Sequence, residues 1–463
     1  MKKYVFPLLS ILLLAIGWQL LAIYIGNPEI FPPVTTLGST FSRLTGSLHF
    51  YQSVGTTCLR GIGGILLSGV AATAAAFLFS RHPWLHELFK PILTLFRSVP
   101  VISFILLALI FLNPESIPFL IAFLTMFPLL TENLTKGLKQ LNPELKRFGK
   151  VFRLSRRNYM SHILYPQLKP YLFSGLASAM GFGWRAIIMG EVLSQCKWGI
   201  GSEMKKAQIF IEVPELLAWT VIAVLLSYVS DLLIRLMEKK KIPLFFKNKP
   251  VGDLYRKYPT SPILINDLCF QYQNKKIFEH LNYQFAPQQI YAISAPSGYG
   301  KTTLLKLIDG TLSPAKGDIE ADRSHGIASV FPYPELLSHL TVEENILISF
   351  THSLPMEKAR AEVAGILKEL EIGHLADNYP AALSMGQQQR VAIARAISYP
   401  SPILLMDEPF KGLEKELIRK IIRYIRSRQQ KNRQLILFTS HQSEEISLFA
   451  DHTLSLDHPE NFI

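Results

Sequence analysis

The chain has 463 residues, 49% of them hydrophobic, and a formal net charge of +13, a length that predicts two or three domains. Long uncharged apolar runs crowd the first half, whereas the second half mixes charged and apolar residues as soluble domains do. The basic excess fits nucleic acid or a membrane surface, and the positions of Lys and Arg decide between them. Cys58, Cys196 and Cys269 form no CxxC and no zinc-ligand spacing. Pairing of Cys58 with Cys196, both near outer ends of expected helices, stays open.

A hydrocarbon core needs about 20 apolar residues per helix. The stretch from Tyr4 to Ile25, behind Lys2 and Lys3, fits. It is long for a signal-peptide core and no A-x-A-like site follows, so a retained helix is expected. Further runs at 58–80, 91–112, 116–134, 171–193 and 214–237 bring the expected spans to six, with "NPES" as a tight hairpin between the third and fourth. With the N-terminus inside, the inner segments hold twenty Lys and Arg and the outer ones four: Arg43, Lys197, Lys205 and Lys206. The reverse topology inverts that ratio. The charge is therefore topogenic, and nucleic-acid binding is excluded from the expected partners.

One inner loop, "NPELKRFGKVFRLSRRNYMSHILYPQLKP" at 142–170, is basic with apolar residues at helical spacing. Val151, Leu154 and Tyr159 would line one face, and Pro166 and Pro170 would end the helix. From the residues alone it is either an interfacial helix on anionic lipid or a docking helix for a cytoplasmic partner. Ionisable residues inside a span point to function. Arg185 and Glu191 are six residues apart, about 240° around a helix, so they need separate partners, and a substrate path is one role for them.

Residues 243–261 read as a Pro-interrupted linker, dividing a membrane domain (1–242) from a nucleotide domain (262–463). "ILINDLCFQY" and "QQIYAIS" read as strands, the second running into "SAPSGYGKTT" at 294–303. This is the phosphate-loop pattern G-x-x-x-x-G-K-[ST] with Ala295 for the first glycine. It opens a helix closed by Gly310, so Ser297, Gly298, Gly300, Lys301, Thr302 and Thr303 would cradle the phosphates of ATP. Lys301 would reach the β- and γ-phosphates and the Thr302 hydroxyl would ligate Mg²⁺. In "ILLMDEP", 403–409, Asp407 would hold Mg²⁺ through water and Glu408 would polarise the attacking water.

"LSMGQQQRVAIARAI", 383–397, resembles the signature of ABC-transporter ATPases and the helix that follows it, and the resemblance covers 262–455. It implies that Ser384, Gly386 and Gln387 contact ATP bound to a second ATPase domain. Tyr272 matches the residue that stacks on adenine, and His441 the switch histidine that contacts the γ-phosphate. Glu414 stands where the family has Asp, and Pro332 where it has a glutamine that touches Mg²⁺ and relays to the membrane domain. Proline has neither side-chain amide nor backbone N–H. The first half resembles permeases of the nitrate/sulfonate/taurine importer group. "ILYPQLKP" and "GWRAIIMGEVL" match the end of their coupling loop and the next helix, while Arg147-Phe148-Gly149 replaces E-A-A and Arg153 the glycine of the E-A-A-x-x-x-G pattern.

The expected fold is thus an all-α membrane domain of six spans followed by an α/β P-loop ATPase domain with a helical subdomain. The resemblance implies an ATP-driven importer in a bacterial cytoplasmic (inner) membrane, N-terminus and ATPase domain inside. It implies a homodimer fed with a small anionic or vitamin-precursor-like solute by an external binding protein. An exporter or a weakly hydrolysing regulator, the latter suggested by Pro332, Glu414 and the altered coupling loop, is the alternative.

Overall fold

The computed structural model describes residues 2–240, 261–272, 275–324, 326–350 and 354–456. The expected linker at 243–261 lies outside the described residues except for Ser261. The chain forms two compact units, one from residues 1–141 and 167–240 and the other from 142–166 and 241–463.

The first unit is helical. Its helix Leu48–Arg81 starts at Ser47, whose hydroxyl accepts the Phe50 N–H. Inside, this helix carries small residues at one-turn spacing, Gly61, Gly64, Ser68, Ala72 and Ala76, while Leu59, Ile62, Leu66 and Val70 stay exposed. Small residues within and large apolar ones without is the pattern of helices that pack in lipid. A Cβ on Gly61 would lie 2.3 Å from the Trp184 ring, and one on Gly64 2.7 Å from Ala122. The helices can approach only because those side chains are absent.

Among the described residues four helices are long and apolar enough to cross a membrane: Leu48–Arg81, Pro114–Lys139, Arg156–Ser194 and Val213–Lys239. The run at 91–112 is not one straight span but a pair, Pro83–Ser98 and Val101–Phe111, bent by 95°, which raises the total to five if it crosses once. Pro100 forces the bend, because it lacks an N–H and holds Val99 in an extended conformation (φ −70°, ψ 131°). The first helix runs Lys2–Ile25, and its described apolar stretch, Leu12–Ile25, is shorter than a span. Two further helices, Val34–Thr45 and Ile200–Ile209, occupy segments read from the sequence as connectors.

Pro166 and Pro170 do not end a helix. They sit within Tyr165–Ser194. A π-helical stretch, Tyr159–Leu164, precedes it, and the Tyr165 N–H donates to the carbonyl of Met160, five residues back. The extra residue is absorbed just before the prolines, as wide turns in long helices do.

Among its described residues the second unit holds eight strands: β1 (Ile263–Tyr272), β2 (Lys275–Phe285), β3 (Ile290–Ser294), β4 (Lys316–Glu320), β5 (Ala328–Val330), β6 (Ile403–Asp407), β7 (Leu435–Thr439) and β8 (His452–Ser455). The first, second and fourth make an antiparallel sheet, order β2-β1-β4, and the rest a parallel sheet, order β5-β6-β7-β3-β8. β3, β6 and β7 are almost wholly buried apolar runs, as central parallel strands are. The helices Val342–Leu347, Met356–Glu369 and Met385–Ser398 contribute buried Ile346, Val363, Ile366 and Val391 to the core around the parallel sheet.

Candidate functional site

In an open parallel sheet ligands bind beyond the carboxyl ends of the strands. β7 lies between β3 and β6, and its last residue, Thr439, pairs with both Ile293 and Asp407. The strand order thus sets the loop after β3 beside the carboxylates after β6. The loop turns through Gly298 (φ 89°) and Gly300 (φ 92°), left-handed positions that suit glycine. A Cβ at Gly300 would also lie 2.5 Å from Ile277. Ala295 has no such conformation, so the replaced letter carries no backbone strain. The Lys301 ammonium donates to the carbonyls of Ala295 and, at 3.1 Å, of Pro296, at the centre of the loop.

Thr302 lies beside Asp407. The Thr439 hydroxyl donates to Asp407 Oδ1 at 2.7 Å and accepts the Glu408 N–H at 2.9 Å. Burial pushes the Asp407 carboxyl above its usual range, against the opposing pull of the Thr439 and Thr302 hydroxyls. A hydroxyl beside a buried carboxylate at a phosphate loop suits the oxygen-ligand chemistry of Mg²⁺. Glu408 has a left-handed backbone (φ 45°), and its carboxylate lies 3.9 Å from His441 Nδ1 and 3.5 Å from Lys411. Thr439 was missed in the sequence. Its only sign there is its place just before Ser440-His441, at the end of an apolar run.

Tyr272 ends β1, half-exposed, with its ring edge-on to Phe270 at 5.0 Å. Ser384 caps the helix Met385–Ser398 through a reciprocal pair of hydrogen bonds with Gln387. With Gly386 they line a groove of about 1000 Å³ that includes none of the phosphate-loop residues. Within one chain, signature and loop are not brought together.

The segment 142–166 belongs to this same unit. Its helix Pro143–Val151 is capped by Asn142, whose side chain accepts the Glu144 N–H. The Arg147 guanidinium bonds Asp309 at 2.6 and 3.1 Å and lies 4.8 Å above the ring of Phe331, next to Pro332. Asp309 is the C-cap of Lys301–Ile308, the helix that starts at the phosphate loop. Lys150 donates to the Gly310 carbonyl at 2.8 Å, and Lys306 pairs with Glu144 at 3.6 Å. Phe148 and Phe152 are buried beneath the Arg395 guanidinium, 4.3 Å from the first ring. Val151, Leu154 and Tyr159 pack on one apolar core, as their spacing predicts, though not from one helix. The break falls at Arg153, whose φ is 46°. The residue that stands for the glycine thus keeps a glycine-like conformation.

Residues 278–411 match the family model described as "ABC transporter", and residues 64–243 the model "Binding-protein-dependent transport system inner membrane component". The chain joins a permease domain to an ABC ATPase domain. Similar curated proteins include the sulfate/thiosulfate import ATP-binding protein CysA of Escherichia coli K12, 36% identical over 177 residues (35% of this chain, 48% of that protein). The Yersinia pseudotuberculosis protein of the same name is 32% identical over 203 residues (41% of this chain, 56% of that protein). The chain thus spans about half the length of these relatives. Among solved structures, cbiO1 from Clostridium perfringens, part of the ABC transporter complex cbiONQ, is 26% identical with a TM-score of 0.38, over 42% of this chain and 83% of that one.

In the permease domain the two singled-out ionisable residues part company. Glu191 is fully buried. It accepts from Arg60 at 2.8 Å, Thr57 at 2.9 Å and the Gly201 N–H at 2.9 Å, while Arg60 also bonds Glu115 at 2.7 Å. Glu115 in turn accepts the Lys197 N–H at 2.6 Å. A Cβ at Gly199 would lie 2.5 Å from the Glu191 carboxyl, so the glycine lets this loop close over it. Arg185, exposed, borders a groove of about 480 Å³ with Trp184, Thr220, Ser227, Tyr228 and Asp231. Among the described residues it makes no ion pair, Asp231 being paired with Arg235 at 2.9 Å. Cys58 and Cys196 are free thiols, and Cys196 donates to the Pro114 carbonyl at 3.2 Å.

Proposed function

We propose that the chain is the combined membrane and motor subunit of an ATP-driven importer for a small anionic solute. The observation that carries this reading is the placing of Lys301, Thr302, Asp407, Glu408, Thr439 and His441 at the carboxyl ends of the neighbouring strands β3, β7 and β6, in a chain that also has a permease domain. Lys301 exchanges its carbonyl partners for β- and γ-phosphate oxygens, and the backbone N–H groups around Gly298 and Gly300 bind the rest of the chain of phosphates. Thr302 and Asp407 would hold Mg²⁺, which when bound offsets charge on the transferred phosphoryl group. Glu408 orients the attacking water and takes its proton, with His441 placing the γ-phosphate end, and Tyr272 offers a face for adenine.

Because Ser384, Gly386 and Gln387 face a different groove from the loop, they serve the ATP of a second copy, and a C2 homodimer is the working form. The segment 142–166 is then the docking helix rather than one lying on lipid. Its Arg147 holds Asp309, at the far end of the helix whose start binds phosphate, where the relatives' glutamine would relay. The "ILYPQLKP" end of the loop, which matches the family's, supports the nitrate/sulfonate/taurine group, and the CysA relatives, named for sulfate and thiosulfate import, point to oxyanions as well. Arg185 in its groove is the candidate for meeting an anion. Glu191, sealed against Arg60, holds the outer loop instead. The surplus of inner Lys and Arg sets the N-terminus and ATPase domain in the cytoplasm, with a separate external binding protein as solute donor.

Purified protein in lipid should hydrolyse ATP and lose that activity with Glu408→Gln. Failure of the unsubstituted chain to hydrolyse ATP would overturn the reading, and ATP-dependent release of solute outward would make it an exporter.

A further inference from the structure

Away from the phosphate site, the antiparallel sheet brings together three side chains whose spacing in the sequence gives no sign of a shared task. Asp267 and Cys269 lie on β1 and His280 on β2, and one ligand atom from each falls within 4.8 Å of the others. His280 Nδ1 is 2.5 Å from Asp267 Oδ1, and the His280 N–H donates to Cys269 Sγ at 3.5 Å.

The backbone there is shaped in an unusual way. Pairing between β1 and β2 slips between Ile265 and Leu268 and again between Leu268 and Phe270. Asp267 (φ 49°) and His280 (φ 53°) face each other in the left-handed region, which L-residues rarely adopt. One side chain braces both. Asn282 accepts the Asp267 N–H at 2.7 Å and donates to the His280 carbonyl at 3.2 Å. On the other side β4 presses in, and a Cβ at Gly317 would lie 2.2 Å from the Asp267 carbonyl oxygen. Bulges of this kind re-aim side chains, and here they turn Asp267 and His280 toward Cys269.

A thiol, an imidazole and a carboxylate are the donor set of zinc, whose bonds of about 2.0–2.3 Å need ligand atoms somewhat closer than 4.8 Å. Asp267 and His280 are largely exposed, so rotation about their own side-chain bonds closes that gap without moving the sheet. We propose that Asp267, Cys269 and His280 form a surface site for a thiophilic divalent metal of the zinc class, with three protein ligands and water in the fourth position. Hard cations such as Mg²⁺ are poor competitors because the thiolate contributes little to them. The site ties β1 to β2 on the hairpin that carries Tyr272.

The test uses the full-length protein in detergent, stripped with chelator and titrated with Co²⁺ as the spectroscopic probe. One equivalent per chain should bind with a thiolate-to-cobalt charge-transfer band, be displaced by Zn²⁺ and resist excess Mg²⁺. Cys269→Ser should abolish the band while Cys58→Ser and Cys196→Ser retain it. Asn282→Ala, which removes only the brace, should weaken binding about 10–100-fold. No band, a band that survives Cys269→Ser, or equal displacement by Mg²⁺ would refute the site and leave an ordinary surface ion pair beside a cysteine. None of these readings depends on ATP hydrolysis, so the site and the importer reading fail or stand separately.

Discussion

The phosphate loop and the docked segment lie in one compact unit, and each holds a short helix start against its surroundings by opposite means. In the loop everything is local: two glycines turn the backbone, and Lys301 is held by carbonyls five and six residues earlier. In the docked segment the contacts that hold it in place are distant. Arg147 meets Asp309, Lys150 meets Gly310, and Asn142 meets Glu335. Backbone geometry binds phosphate, so a ten-residue motif writes it down. Docking depends on charge and packing between remote side chains, so letters can change while the contact survives. Arg153 illustrates this, keeping φ 46° where the pattern has glycine.

Four substitutions test that contrast, from the largest effect to the smallest. Glu408→Gln should slow ATP turnover by about 10²–10⁴-fold while nucleotide still binds. Equal loss of binding and turnover would mean that Glu408 shapes the loop rather than the chemistry. Arg147→Ala strands the buried Asp309 carboxylate and should loosen the docked segment by about 3–5 kcal/mol. Faster hydrogen exchange at 143–151 in the full chain would report it. Replacing both partners with apolar residues, Arg147→Met with Asp309→Leu, should restore most of that protection, and a double variant as unprotected as the single one would rule out a stranded charge as the cause.

Pro332→Gln asks whether docking has taken over the missing relay. The new amide should change solute-stimulated turnover by at most about fivefold, the worth of one hydrogen bond, and leave exchange at 143–151 unaltered. A change of several orders of magnitude would show that Arg147 carries no coupling. Ala295→Gly should be almost silent, costing about 0.5–1 kcal/mol in thermal unfolding through backbone freedom and shifting ATP affinity less than about threefold. A marked gain in ATP affinity would mean that Ala295 does impair the loop.

Much of the proposed nucleotide site was legible. Lys301, Thr302, Asp407 and Glu408 were read from spacing, because strand, loop and helix succeed one another in the order that the chemistry uses, and His441 from its resemblance to the family's switch histidine. Thr439 was not, since its role comes from β7 lying between β3 and β6. Membrane helices were legible by composition, but their course was not. Apolarity at 91–112 says nothing of the 95° turn at Pro100, and Pro166 and Pro170 were read as stops where a π-helical turn lets the helix continue. Arg185 and Glu191 looked alike in the sequence, and only Arg60, Glu115 and the loop around Gly199 set them apart.

By itself the sequence determined the two domain types, the phosphate loop and the carboxylates after β6, all properties of residues near one another along the chain. Only the tertiary structure decided which basic residue docks against Asp309, which acidic one is sealed by Arg60, and that Asp267, Cys269 and His280 share a surface. Those outcomes join residues separated by 11 to 162 positions. Strand register and helix packing set such distances, and local propensity carries no record of them.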